Sequence, residues 1–88
     1  MSIAEQLEEG VRAVRMGRPA AARSAFRAVL RQDPVNETAL LGMAYVAHDP
    51  RASKAYAARA LMAHPESARA QAAFRWARQR SVESSGPA

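Results

Sequence analysis

The side chains that could carry out chemistry in this chain are few and scattered. Its 88 residues include no cysteine, which excludes a thiolate metal site and a disulfide. His48 has Asp49 beside it, but His64 lies sixteen residues further on, and a zinc site needs three or four converging ligands. The sequence also lacks a glycine-rich phosphate loop and a serine with a base partner. We therefore expect no enzyme, no metal site and no cofactor.

Arginine supplies twelve of the thirteen basic residues, and the net charge is +5. One group of arginines recurs every fourth residue, which is typical of the solvated face of a helix. A second group surrounds the single tryptophan, Trp76, and could support base stacking with phosphate contacts. The two groups are Arg23, Arg27 and Arg31, and Arg75, Arg78 and Arg80. We favour a packing or groove position for Trp76, so nucleic-acid binding is the weaker alternative.

Prolines divide the chain into segments that recur. Pro19 and Pro34 are fifteen residues apart, and Pro50 and Pro65 follow them at an interval of thirty-one. Proline lacks a backbone N–H, so it fits the first turn of a helix and ends the helix before it. A short chain that repeats itself at this period is predicted to be a helical-repeat module.

Five helices are expected from the caps and apolar spacing. They run from Ser2 to about Met16, Pro19 to Gln32, the Asn36 cap to about His48, Pro50 to His64, and the Ser67 cap to about Arg80. Ser2 and Glu5 have the spacing of a capping box. Residues 81–88, with no apolar face, are predicted to be a disordered tail. No apolar run approaches the roughly 20 residues of a membrane span, and no secretory signal opens the chain, so we expect a cytoplasmic protein.

These residues resemble the tetratricopeptide repeat, whose pattern combines Trp, Leu-Gly, Tyr, Ala-x₃-Phe and Pro. The first repeat matches the pattern at Gly10, Gly17, Ala22, Phe26 and Pro34. The second repeat matches it at Leu40, Met43, Ala44, Ala60, Leu61 and Pro65. The departures are Gln6 and Glu9 for Trp and Leu, Ala13 and Ala47 for the tyrosines, and Ser53 and Ala57 in the second Ala-x₃-Phe. The second repeat is also three residues shorter, between Ala44 and Pro50.

The resemblance implies an all-α fold of five antiparallel helices in a right-handed α-solenoid of about two and a half repeats. Repeat one would span about 3–34, repeat two about 35–65 and a capping helix about 66–80, together a domain over 1–80. The concave groove would hold Leu7, Val11, Val14, Leu41, Tyr45, His48, Ala72 and Trp76. For Leu7, Val11 and Leu41, packing between the repeats is an equally weighted alternative. The structural core would hold Gly10, Ala22, Phe26, Val29, Leu30, Ala44, Ala60 and Leu61.

A groove of this kind implies a protein-interaction module that binds a helical or extended apolar segment of a partner. Small bacterial proteins of this type resemble the secretion chaperones, which makes a chaperone or adaptor one interpretation. The family's electrostatic clamp for acidic C-terminal peptides has Lys and Asn where this chain has Leu7 and Val11, so we do not expect that function. A self-associating scaffold is the second hypothesis, since few repeats bury little surface. A nucleic-acid accessory is the third.

Overall fold

The computed structural model describes residues 1–84 and consists of five α-helices. They are α1 (Ile3–Arg15), α2 (Pro19–Gln32), α3 (Glu37–Val46), α4 (Pro50–Ala63) and α5 (Ala68–Ser84). No strand occurs among the described residues, so the all-α prediction is confirmed for them. None of these helices has the length and apolar character needed to cross a membrane.

The backbone repeats itself at the interval that the prolines predict. Helices α2 and α4 both begin with proline and both have 14 residues. Asp33 and His64 end them with similar backbone angles, φ −140° and ψ 86° for the first and φ −134° and ψ 66° for the second. In each following turn a backbone N–H bonds to that residue's carbonyl, from Asn36 at 3.1 Å and from Ser67 at 3.0 Å.

The helices α1, α3 and α5 begin with the same kind of cap. Oxygens of Ser2, Asn36 and Ser67 accept the backbone N–H three residues further on, at 3.1, 3.0 and 3.2 Å. At the first cap the Glu5 carboxylate also accepts the Ser2 backbone N–H at 3.1 Å, which completes the predicted capping box. That N–H and the Ser2 hydroxyl hold the pKa of Glu5 below its ordinary value. The caps give the three helices a common register, counted from the cap.

Helix α3 is central. Each helix contacts the next along the chain, and α3 also contacts α1 and α5, so that it touches the other four. It carries no lysine or arginine, and five of its ten residues are buried. The most deeply buried of its larger side chains are Leu40 and Met43.

The core is divided into three clusters. The first joins α1, α2 and α3 and contains Ala13, Ala22, Phe26, Val29, Ala39, Met43 and Val46. The second contains Leu40, Ala60 and Ala70, and the third Ala44, Ala57 and Ala77. The half-buried Tyr56 packs against all three, a role that the sequence analysis did not assign. Of the predicted core, Gly10 is buried, while Leu30 and Leu61 are half-buried and pack against these clusters.

Phe26 is wedged between two glycines on different helices. A Cβ built on Gly10 would lie 2.5 Å from Phe26 Cε1, and one built on Gly42 would lie 2.5 Å from Cε2. The two edges of the buried ring therefore face α1 and α3, and each helix can approach because it has no side chain there. The pattern in the sequence identified Gly10 but not Gly42. In the second repeat Ala57 stands where the first has Phe26, and Ala44 and Ala77 are the other buried members of its cluster.

Helix α3 is shorter than the sequence predicts. It ends at Val46 rather than near His48, because Ala47 turns into an extended conformation with φ −66° and ψ 136°. Asp49, which precedes a proline, is also extended, and its side chain caps α4 by accepting the Arg51 N–H at 2.9 Å. His48 thus lies in the connection and not on the helix.

Helix α5 is longer than predicted. It continues to Ser84, so the prediction of a disordered tail from Ser81 is wrong for 81–84. Gln79 Nε2 donates to Glu83 Oε1 at 3.2 Å, a contact between side chains four residues apart that supports the added turn. The rest of the predicted tail, 85–88, lies outside the described residues.

Helices α1 and α5 carry polar residues at positions, counted from the cap, where α3 carries buried apolar residues. On α5, Gln71 and Arg75 are exposed at the cap-relative positions of Leu40 and Ala44, which α3 buries against α4. On α1 the matching face is also exposed and polar. There Glu5, Glu9 and Arg12 occupy the positions of Ala39, Met43 and Val46, which α3 buries against α2. Polar outer faces are what terminal units of a helical stack require.

Gly42→Ala should destabilise the protein by about 1–3 kcal/mol, the usual cost of overpacking, because the new Cβ would collide with the Phe26 ring. In a Phe26→Leu background the same change should cost far less. The ring edge is then absent, and alanine favours a helix by about 1 kcal/mol over glycine. Denaturant unfolding of the four proteins measures this coupling.

Gly17→Ala is the matched control. Gly17 has φ +68° and no atom within 4 Å of a built Cβ, so its penalty is a backbone strain that is independent of residue 26. It should be equal in both backgrounds. If Gly42→Ala also cost the same free energy of unfolding in both backgrounds, the steric fit between Gly42 and the Phe26 ring would be refuted.

Candidate functional site

The predicted groove residues occupy equivalent positions on α1, α3 and α5. Leu7, Leu41 and Ala72 stand five residues after their caps, and Val11, Tyr45 and Trp76 stand nine after. The structure nevertheless divides them among three separate depressions.

Four of them line one cleft between α3 and α5, which we call the α3–α5 cleft. Its volume is about 330 Å³, and its walls are almost wholly apolar. It is lined by Leu41, Ala44, Tyr45, Ala72, Ala73 and Trp76. The repeat pattern predicts Ala44 in the core and gives no indication of Ala73, because small residues have no signal of their own.

Two large aromatic rings stand at this cleft and face water. The side chains of Tyr45 and Trp76 are 63% and 44% exposed. Their ring centroids are 6.0 Å apart with an interplanar angle of 22°, an offset stack that is typical of favourable aromatic pairs. Rings of this kind, apolar with one polar atom, are enriched where interfaces concentrate binding energy.

The α1 residues do not join this cleft. Leu7 and Val11 line a separate groove of about 430 Å³ together with Glu8, Arg12 and Arg15. Both are half-buried and pack against the first core cluster, which contains Phe26. At least part of their surface therefore belongs to the core.

Val14 and His48 lie together in a third depression, of about 360 Å³. Tyr45 lines both this depression and the α3–α5 cleft, so the two adjoin at its ring. Three arginines also line the third depression, Arg18, Arg23 and Arg80. The sequence analysis did not predict that these arginines converge, because they come from three distant parts of the chain.

A charged pair joins α3 and α5 at their first turns. Arg69 donates to Glu37 Oε1 from Nη2 at 2.7 Å and from Nε at 3.0 Å. The pKa of the Glu37 carboxyl is held below its ordinary value, first by the Ser67 hydroxyl and then by Arg69. This contact fixes the cleft at the end nearest the caps.

Arg80 joins α5 to the far end of α3. Its Nη2 donates to the Ala47 carbonyl at 3.1 Å and makes a longer contact of 3.5 Å with that of His48. The guanidinium carbon also lies 5.7 Å from the Trp76 ring centroid. Arg80 thus holds the aromatic pair and the end of α3 together.

Arg23 completes this arrangement from α2. Its Nη1 donates to the Val46 carbonyl at 2.8 Å. Carbonyls at the end of a helix have no partner within it and carry partial negative charge, so arginines suit them. The interpretation of Arg23 as part of a solvated stripe is therefore wrong, and Arg80 is engaged within the fold.

The histidines do not form a metal centre in the described residues, where no three His, Cys, Asp or Glu side chains come together. His64 Nε2 lies 2.7 Å from the Val35 carbonyl, a contact between the two repeated turns. His48 is exposed beside the third depression.

A comparison with protein-family models, with curated proteins and with solved structures finds none that matches this chain. The tetratricopeptide resemblance therefore has no support from a known protein.

Arg80→Ala should lower the free energy of unfolding by about 1–3 kcal/mol, because the buried Ala47 carbonyl loses its charged donor. Arg78→Ala is the matched control, since Arg78 is exposed on the same helix and shows no side-chain hydrogen bond in the described structure. Urea unfolding of both variants measures the difference. Equal losses would mean that Arg80 does not fasten α5 to α3.

Glu37→Gln should show a pH-dependent loss of stability. A carboxyl whose pKa is lowered by folding stabilises the protein above its unfolded pKa, and that stabilisation disappears as the pH falls through the folded pKa. At neutral pH the loss should not exceed about 1 kcal/mol, because the Arg69 side chain is 61% exposed and solvent screens the pair. The difference between the melts of wild type and variant should shrink as the pH falls below the ordinary pKa of glutamate, and it should vanish below the folded pKa. A constant difference at every pH would assign the effect to something other than the charge.

Proposed function

We propose that this chain is a protein-binding module whose α3–α5 cleft takes a helical or extended apolar segment of a partner protein. The observation that carries the proposal is the stacked pair of Tyr45 and Trp76, exposed above a cleft of small apolar side chains. A partner side chain placed there would bury apolar surface against rings that the fold already holds in position.

The same proposal assigns the fold to a tetratricopeptide-like, right-handed arrangement of antiparallel helices. Its support is the thirty-one-residue recurrence of caps, turns and helix starts, and the contacts of α3 with both α1 and α5. The order of contacts within one hairpin agrees with it. Ser53 at the start of α4 donates to Ala44 near the end of α3 at 2.5 Å, whereas His64 after α4 contacts Val35 before α3.

Self-association as a scaffold is the weaker proposal. Stacking of copies end to end would bury Gln71 and Arg75 at one end and Glu5, Glu9 and Arg12 at the other. Burial of unpaired polar and charged groups is unfavourable. A dimer formed through the α3–α5 cleft itself would avoid this cost and is an outcome of the test below.

Nucleic-acid binding is also disfavoured. The Trp76 ring already contacts Tyr45 and Arg80, and these contacts compete with the stacking of a base. We propose that the chain acts as a small cytoplasmic chaperone or adaptor, with a non-enzymatic role and no cofactor.

The test is a selection of displayed peptide ligands on the folded protein, followed by affinity measurements on the selected peptides. Trp76→Ala and Tyr45→Ala should each weaken binding by roughly 1–4 kcal/mol, as for interface anchors. Met62→Ala should not, although Met62 is an 83% exposed apolar residue, because it lies on α4 away from the cleft.

Circular dichroism should show that the variants remain folded. If Trp76→Ala does not fold, Tyr45→Ala decides the question, since Tyr45 is the more exposed of the two. If the selected peptides bind both variants as tightly as the wild type, the α3–α5 cleft is not the binding site. Sedimentation at several concentrations tests whether the chain instead dimerises through the α3–α5 cleft. If it does, Tyr45→Ala should promote dissociation of the dimer.

A further inference from the structure

The depression next to the α3–α5 cleft has a chemistry that the proposed function does not use. Its lining includes three arginines, Arg18, Arg23 and Arg80, together with Val14, Tyr45 and His48. No carboxylate belongs to its lining in the described part of the chain. Asp49 follows His48, but its side chain is engaged in capping α4 through the Arg51 N–H.

Two of the three guanidinium groups are held rigidly. Arg23 and Arg80 donate to the carbonyls that end α3, at 2.8 and 3.1 Å. A guanidinium has five N–H donors, and these bonds use only a part of them. The Nη1 of Arg80 is enclosed and has no hydrogen-bond acceptor within the described structure. That enclosed atom cannot reach a ligand, so the accessible donors at the depression are those of the exposed Arg18 and the remaining N–H groups of the half-buried Arg23.

Rigid arginines with unused donors are well suited to carboxylates. The planar guanidinium matches the two oxygens of a carboxylate, and little side-chain freedom remains to be lost when the group is already fixed. Because Tyr45 lines both the depression and the α3–α5 cleft, one ligand segment can reach both.

We propose that the depression binds an acidic side chain of the same partner segment whose apolar residue occupies the α3–α5 cleft. This inference rests on the proposed function and specifies its ligand, a segment with Asp or Glu close to a large apolar residue. The proposed group is the side-chain carboxylate of an internal residue, and the experiment separates it from a chain terminus by leaving no free C-terminal carboxylate.

Arg18→Glu is the most informative variant. Arg18 is exposed and makes no side-chain cap bond at the start of α2, and a negative charge is favourable at that end of a helix. The variant should therefore remain folded. Arg78→Glu is the matched control, because it makes the same change of net charge at an exposed position that lines none of the three depressions.

The experiment uses a random peptide library fused to its carrier through the C-terminus, so that no free C-terminal carboxylate is present. Selection on the full chain should enrich Asp or Glu near Leu, Met or an aromatic residue. Amidated synthetic copies are then made in Glu and Gln forms. The Glu form should bind about tenfold more tightly, and Arg18→Glu should remove that advantage, while Arg78→Glu should preserve it at physiological salt.

The outcomes distinguish a failure of the acid site from a failure of the α3–α5 cleft. If Glu and Gln forms bind equally and only Trp76→Ala weakens them, the acid site is refuted and the cleft stands. If no selected peptide depends on Tyr45 or Trp76, the cleft is refuted as well. If a single-stranded oligothymidine displaces the Glu peptide at physiological salt, and Arg18→Glu abolishes the displacement, the depression binds nucleic acid and the inference is overturned.

Discussion

The ring of Phe26 can lie between α1 and α3 only because Gly10 and Gly42 leave room for its two edges. This steric fit sets how closely both helices approach α2. It also places the largest fully buried side chain of the protein at the centre of a core made chiefly of alanine. With alanine so abundant, the remaining core gains its stability from close packing of helix backbones rather than from large buried side chains. The position of α3 depends on this fit.

From α3 the arrangement extends to α5 through contacts of a different kind. Small alanines pack in the interior, while Arg69 and Arg80 join the two helices at their ends. Because the side chains between these ends are small, a cleft is left on the surface, and Tyr45 and Trp76 stand over it. The same Arg80 that bonds to the end of α3 also lines the third depression. One structural contact therefore serves the fold and shapes the proposed binding surface.

Much of the fold followed from local chemistry, since prolines, caps and the apolar spacing specified five helices and their starts. The predicted end of α3 was wrong because Ala47 adopts an extended conformation. The carbonyls of Val46 and Ala47 there accept from Arg23 and Arg80, and no local pattern reports partners so distant in the chain. Gly42 was missed because its role depends on the ring of Phe26 from another helix. The pairing of Tyr45 with Trp76 followed from the repeat register. That register did not show that Leu7 and Val11 would lie apart from them, packed on the core.

The central claim is that the Phe26 wedge fixes α3, and that α3 and α5 then display Tyr45 and Trp76 as one exposed pair. A nuclear Overhauser spectrum of the isotope-labelled chain tests it most directly. The account predicts contacts from the Phe26 ring protons to the α-protons of both Gly10 and Gly42, together with contacts between the Tyr45 ring and the Trp76 indole. A Phe26 ring that contacts only one of the glycines, or a Trp76 indole without contact to Tyr45, would contradict it.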